Sequence, residues 1–414
     1  MQFLFENLIE NTTWQMVIMW LIGAILIYLA IKKDMEPSLL LPIGFGAILV
    51  NLPMSGAITQ GSEEGILDTL FNAGIANELF PLILFIGIGA MIDFGPLLVD
   101  PKMLLLGAAA QFGIFFTLSM ASLFGFEIKD AASIAIIGAA DGPTSIFVAN
   151  YFNSNYIGAI IVAAYSYMAL VPIVQPPVIK LITTKKERLI EMPYDQKSIS
   201  STTRILFPII VTIVAGIIAP QSVALIGFLM FGNLVRECGV LNSLSDTAQK
   251  VLANLVTLLL GLTVAARMRA DQFITKQTLL ILVLGLVAFI FDTVGGVMFA
   301  KFLNLFSKNK INPMIGAAGI SAFPMASRVV NKMGLKENPQ NFLLMQAAGA
   351  NVSGQIASVV AGGLIMRLVA GNTQLLQSGG FADTLPIMAK GMGGIFFVIL
   401  AIYASVVLLR KMFP

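Results

Sequence analysis

The chain has 414 residues, 57% of them hydrophobic and 11% charged, where soluble domains carry roughly 45–50% apolar and about 25% charged residues. A water-soluble fold is excluded, and with one Cys and 18 Pro so are disulfide scaffolds, collagen and disorder. The net charge of +3, spread thinly, leaves no footprint for nucleic acid.

The composition predicts an all-α polytopic membrane protein, and 37 Gly suit closely packed membrane helices. With no His and no Cys cluster, zinc, haem and iron–sulfur sites and a serine–histidine nucleophile are excluded. Protons must therefore travel on Asp, Glu, Lys, Tyr or water. Cys238 reads as a small buried apolar residue. The acidic start, MQFLFENLIENTTW, lacks the basic region of a cleaved signal peptide.

Apolar stretches run at 14–31, 39–54, 79–99, 103–124, 131–150, 156–182, 204–219, 222–235, 250–266, 278–302, 311–330, 341–367 and 388–410. Lys and Arg mark cytoplasmic loops. Lys32 and Lys33 follow the first stretch, Lys185, Lys186, Arg188, Lys197 and Arg204 fill 183–204, and Arg410 and Lys411 close the chain. The 55–78 loop has no Lys or Arg and is expected outside. Only if 131–150 dips in and returns does the basic 183–204 loop land inside. The same logic makes 311–330 re-entrant and places Lys301, Lys308, Lys310, Lys332 and Lys336 inside. About 11 crossings plus two re-entrant segments result, N-terminus outside and C-terminus cytoplasmic. Arg267 and Arg269 fall on the outer side, against the rule.

GAADGPTSIFVAN (138–150) resembles GAAGISAFPMASR (316–328), and FIGIGAMIDF (85–94) pairs with LLGLTVAARM (259–268) at a similar distance upstream. Each half has a short span, 39–54 and 222–235. The expectation is a first inverted repeat (1–182) holding the re-entrant 131–150, a cytoplasmic basic loop (183–203), a second repeat (204–367) holding 311–330, and a C-terminal loop and last helix (368–414). Inverted repeats with Gly/Pro-broken segments at matching places mark secondary transporters.

Asp141 lies inside an apolar segment, where an ionised group costs about 2.5–3.5 kcal/mol or more unless paired or hydrated. Gly142 and Pro143 free backbone carbonyls, and Thr144 and Ser145 add hydroxyls, so a hard-oxygen cage for a small cation forms. Capping of the following half-helix by Asp141 is the alternative and excludes nothing. Asp292 is equally deep, with Gln111 at the corresponding place in the first half, and either serves as a supporting ligand, a proton carrier or a structural hydrogen bond. Asp93 is expected at an interface. The second re-entrant stretch offers Asn312, Ser321, Ser327 and Arg328, and the span after it Asn351 and Ser353. Arg328, at the cytoplasmic mouth, suits a carboxylate or carbamate, or is a positive-inside anchor. Tyr165 is assigned to the interfacial belt.

GAADGPTSIFVAN, AAYSYMALVPIVQPPVIK (163–180), NPMIGAAGISAFPMASRVVNK (312–332) and GANVSGQIASVVAGG together resemble the beta subunit of the sodium-translocating biotin-dependent decarboxylases, the oxaloacetate, methylmalonyl-CoA and glutaconyl-CoA decarboxylase group. The resemblance covers almost the whole chain. It implies a carboxybiotin decarboxylase of the bacterial cytoplasmic (inner) membrane that consumes a proton and exports Na+. It further implies that Asp141 is a sodium ligand, that the functional Tyr falls on Tyr167, and that the functional residues of the second hairpin fall on Asn312, Gly316, Ser321 and Arg328, with Asn351 in the following span. From these, Asp141, Ser321, Asn351 and Gly316 are expected around Na+, Arg328 and Asn312 around carboxybiotin, and Arg328, Tyr167 and Asp141 in the chemistry. Carboxybiotin would arrive on a partner biotin carrier, since no biotin-carrying Lys motif occurs here. A carboxyltransferase alpha subunit and a small membrane gamma/delta subunit are the other implied partners, with a homotrimeric core. The rival reading is a sodium-coupled secondary solute carrier or cation/proton antiporter.

Overall fold

A computed structural model describes residues 11–33, 35–60, 63–192, 199–371 and 380–413; Lys197 and parts of the 183–203 and 368–414 loops lie outside them. Among the described residues all regular structure is helical, apart from one bridge between Gln60 and Glu63. Eight helices are long and apolar enough to cross a membrane: Trp14–Lys33, Met103–Leu123, Ile157–Ile182, Ser201–Ile218, Asn242–Arg267, Lys276–Phe306, Leu344–Ala370 and Phe381–Met412. A pair bent by 63°, Ile66–Gly74 with Leu79–Met91, makes a ninth. The eleven expected crossings are not reached by this measure. Pro37–Val50 and Val223–Glu237, at 14 and 15 residues, extend only about 21–23 Å at 1.5 Å per residue, short of a core of about 30 Å.

Both short helices pack closely on a neighbouring helix. A Cβ on Gly89 would lie 1.9 Å from the Leu229 carbonyl oxygen, and one on Gly232 would lie 2.0 Å from that of Ile86. Leu79–Met91 and Val223–Glu237 therefore touch backbone to backbone, as small residues permit in lipid. Gly46 and Gly261 likewise bring Pro37–Val50 close to Asn242–Arg267, a Gly46 Cβ falling 2.5 Å from that of Ala265 and a Gly261 Cβ 2.7 Å from that of Pro42. Each short helix thus packs on a helix from the other half of the sequence.

Two segments turn back on themselves. Ser154 Oγ donates to Asp130 Oδ1 at 2.6 Å, and the Asn155 N–H donates to the same oxygen at 3.2 Å. The start of Ile128–Ala135 and the end of Gly142–Tyr151 are therefore side by side, and 128–155 is a hairpin. In the second segment Asn312 and Asn341 both donate to the Ile190 carbonyl, at 2.8 and 3.1 Å, so 312–341 also closes. The hairpins enter from opposite ends. The base of the first shares a cavity with Lys276 and Gln277, whereas the loop at the base of the second meets Lys301. Those positions on Lys276–Phe306 are about 38 Å apart. Both tips reach the middle of that helix, where Gly138 faces Asp292 and Gly316 lies against Gly296.

Basic residues gather at one end. Arg188 pairs with Glu337 at 2.8 Å and Lys301 with Glu187 at 3.1 Å. Arg204 lies 3.7 Å from Asp93, itself half-exposed at a helix end as expected. At the opposite end Arg267 stacks over the Phe71 ring, 4.1 Å from its centroid, and Arg269 reaches Asp271. The ring quadrupole and the carboxylate compensate these cations locally. Cys238 is part-exposed at a helix end, not buried, because the chain turns there at Gly239 with φ +74°.

Candidate functional site

The two tips meet. The N–H and Oγ of Ser321 both donate to the Ala139 carbonyl, at 3.1 and 2.8 Å. In the first hairpin the helix tightens to a 3-10 turn over Ile136–Ala139 and breaks at Ala140, whose φ of 51° is rare for a residue with a Cβ. Pro143 starts the next helix, where its missing N–H costs nothing.

Asp141 is the N-cap of that helix. Its carboxylate accepts from Thr144 N at 3.4 Å, from Thr144 Oγ1 at 2.7 Å and from Ser358 Oγ at 2.9 Å. The capping role foreseen as an alternative is present, and its two short contacts are with hydroxyls. Ser145 Oγ donates to the Asp141 carbonyl at 2.8 Å. Asp141, Thr144, Ser145 and Ser358 are all buried.

The second tip is unwound from 318 to 324, and four amide side chains from three flanking spans hold carbonyls in and beside it. Gln175 donates to Ala317 at 2.7 Å, Gln111 to Gly319 at 3.3 Å, Asn351 to Ile320 at 2.7 Å, and Gln355 to Ser321. In each amide the carbonyl oxygen is buried without a partner among the described residues. Such an acceptor costs about 1–3 kcal/mol unless water or a cation fills it. Asn351, Gln355 and Ser358, three and four residues apart, line one face of Leu344–Ala370 and reach both tips. Among the described residues no three Asp, Glu, His or Cys cluster. One carboxylate amid neutral oxygens suits a monovalent hard cation.

The expected residues separate into groups. Asp141, Ser321 and Asn351 come together around the tips. Gly316 stands apart, against Gly296, where a Cβ would lie 2.1 Å from a backbone oxygen, and its own carbonyl accepts from Gly319 N. Tyr167 faces Lys276–Phe306, its hydroxyl donating to the Leu282 carbonyl. Asn312 secures the 183–192 loop, donating to the Arg188 and Ile190 carbonyls at 2.9 and 2.8 Å. Arg328 is exposed on Met325–Glu337.

Tyr165 corrects an expectation. It is buried, not interfacial, and its ring lies so close to Gly142 that a Cβ there would fall 2.1 Å from it. Its hydroxyl has no partner among the described residues. The preceding Ala163 and Ala164 are small and buried, which brings this turn of the helix against the tip. Sequence reasoning also missed Thr144 as a direct carboxylate partner, and Gln175, Gln355 and Ser358 altogether. Amides repeated at broken-helix level in apolar spans were the available signal.

Asp292 is fully buried, and its Oδ1 accepts from the Ile114 N–H at 3.1 Å. The helix Met103–Leu123 breaks at Gln111, which frees that N–H, so Asp292 caps a helix start from another span.

A family model described as Na+-transporting oxaloacetate decarboxylase beta subunit matches residues 15–369. The glutaconyl-CoA decarboxylase subunit beta of Acidaminococcus fermentans is 49% identical, over 87% of this chain and 94% of its own length. The methylmalonyl-CoA decarboxylase subunit beta of Veillonella parvula is 50% identical, over 85% and 93%. The probable oxaloacetate decarboxylase beta chain of Vibrio cholerae is 45% identical, over 86% and 96%.

Proposed function

This chain belongs to the family of the Na+-transporting decarboxylase beta subunits, and from that premise we propose that it decarboxylates carboxybiotin and couples the reaction to sodium export at the meeting point of the two hairpin tips. The observation that carries the reading is Asp141, a buried carboxylate accepting from two hydroxyls, at the tip that meets a second tip held by amides with unpartnered oxygens. Na+ would take oxygens from Asp141, Thr144, Ser358, Ser321 and Asn351, with Gln355 beside them. Gly316 would serve by letting its hairpin lie against Gly296.

Carboxybiotin supplies a carbamate. The bond from the ureido nitrogen to the carboxylate carbon breaks, that carbon leaves as CO2 with both carboxylate oxygens, and the nitrogen takes one proton. Arg328 would hold the carbamate from the basic end, which the positive-inside rule makes cytoplasmic. With no His in the chain, Asp141 would carry the proton after releasing Na+. Tyr167, bonded to Leu282, would brace the span beside the first hairpin, and Asn312 would fix the base of the second, near the carbamate's entry. The two halves, each with a short helix, a broken hairpin and a long span, would be inverted repeats whose relative movement exposes the site to either side. Eleven crossings follow if the short helices span a locally thinned bilayer. Partners would be a carboxyltransferase, a biotin carrier and a small membrane subunit, around a trimer of this chain. The three relatives differ in acyl substrate at nearly equal identity, which fits a substrate chosen by the soluble partner.

The test is decarboxylation of free carboxybiotin by the purified chain with its membrane partner at varied sodium, for wild type and Asp141→Asn. Sodium-dependent turnover in wild type that is lost in Asp141→Asn supports the reading. Sodium transport without carboxybiotin turnover would hand the case to an ordinary sodium-coupled carrier.

A further inference from the structure

The helix Met325–Glu337, the descending arm of the second hairpin, exposes Arg328, Lys332 and Lys336, and no other residue on it is exposed. Steps of four residues place the three cations in one row about 12 Å long. None of their side chains has an ion pair or hydrogen bond among the described residues, although acidic side chains are near. Glu337 is taken by Arg188 at 2.8 Å, Glu187 by Lys301 at 3.1 Å, and Glu191 accepts from the Asn338 amide at 2.8 Å. Lys185 and Lys186, on the turn that Arg188 ties to the foot of this helix, are exposed and equally unpaired. Among the described residues these three carboxylates are committed elsewhere, and the five outward cations are left free.

A lipid-facing helix of the same chain shows what this row is not. Ser201–Ile218 exposes Ile209, Ile213 and Ile217 at the same four-residue spacing. Cations in those places would cost about 2.5–3.5 kcal/mol each near the bilayer centre. By the same cost, the row on Met325–Glu337 lies against water rather than hydrocarbon.

We propose that Lys332 and Lys336, with Lys185 and Lys186 at the entrance, form an electrostatic track that draws an anionic group down to Arg328. Resting on the functional reading above, the anion is the carbamate of carboxybiotin delivered by a partner. Lys332 and Lys336 act as steering residues and take no part in the chemistry. A row of like charges without local counter-charge raises the local concentration of an anion and its rate of arrival, by about tenfold or more, and salt removes the effect.

The test uses the detergent-purified complex containing this chain, with carboxybiotin as probe and sodium held constant while potassium chloride is varied. The double variant Lys332→Glu/Lys336→Glu is expected to raise KM about tenfold or more at low salt, with kcat and equilibrium Na+ binding unchanged. Near 1 M salt, where the Debye length is about 3 Å, the difference from wild type should vanish. Lys332→Arg/Lys336→Arg should behave as wild type. An unchanged KM at low salt overturns the track. So does a fall in kcat at constant KM, which would assign these lysines to the chemistry or the conformational change. A defect seen only in vesicles of anionic lipid, and absent in phosphatidylcholine, overturns it in favour of membrane anchoring. A wild-type complex with no carboxybiotin turnover would sink the functional reading itself, a result separate from all of these.

Discussion

Ser358→Ala is the sharpest probe of the site, because nothing about Ser358 marks it out in the sequence. Its hydroxyl lies 2.9 Å from Asp141 Oδ2 and is one of two hydroxyls on that oxygen. The residue is fully buried, so no solvent replaces the lost group. A hydrogen bond to a charged partner contributes about 1.5–3 kcal/mol. If the serine oxygen turns to ligate Na+ when the ion arrives, the same order of free energy leaves the bound state. That is about ten- to a hundredfold in affinity. The assay is equilibrium Na+ binding to the purified chain alongside the sodium dependence of carboxybiotin decarboxylation. Both half-saturation points should rise together in Ser358→Ala, with maximal turnover kept at saturating sodium, and Ser358→Thr should restore them. An affinity within about twofold of wild type, while Asp141→Asn abolishes binding, would show that Ser358 only steadies the empty site and would refute the ligand assignment.

Gly316→Ala places a Cβ 2.1 Å from the Gly296 backbone oxygen, so the second hairpin must shift; a loss of about 1–3 kcal/mol is expected, seen as a lower Tm in detergent with sodium binding also weakened. Asp292→Ala removes the acceptor of the Ile114 N–H and should cost about 1–3 kcal/mol, whereas Asp292→Asn keeps an acceptor oxygen and should unfold near wild type, as thermal melts would show. Arg188→Ala breaks the 2.8 Å pair with Glu337 and should speed tryptic cleavage at Lys185 and Lys186, with equilibrium Na+ binding unchanged. Partial burial raises the Glu187 carboxyl, but the Thr184 backbone N–H and Lys301 outweigh it and hold the group below the usual carboxylate range. Its stabilising contribution is therefore complete above the ordinary glutamate pKa and is lost as pH falls through the lowered value. Glu187→Gln should flatten that acid limb in pH-dependent proteolysis of the same loop.

Much of the architecture was legible because a bilayer imposes a simple code. Apolar length marked the long spans, and Lys and Arg singled out 131–150 and 311–330 as segments that return. Asp141 could be found because a carboxylate in hydrocarbon is costly enough to need a reason, and its DGPT context indicated both cap and break. Tyr165 was misread because aromatic residues in spans are commonly interfacial, and only the approach of Gly142 reveals the tip beneath its ring. Gln175, Gln355 and Ser358 were missed because polar residues in apolar spans are cheap enough to serve merely as interhelical hydrogen bonds.

The sequence by itself determined the class and the broken segments, since helix breaking, charge placement and the cost of burial are local properties of the chain. Only the tertiary structure decided which oxygens share the space around Asp141. Ser358 lies 217 residues away, and Ser321 reaches Ala139 across 182. Such contacts depend on how two hairpins and one long helix pack, and on glycine pairs that let their backbones touch. No local rule encodes that geometry, because packing is settled jointly by every helix in contact.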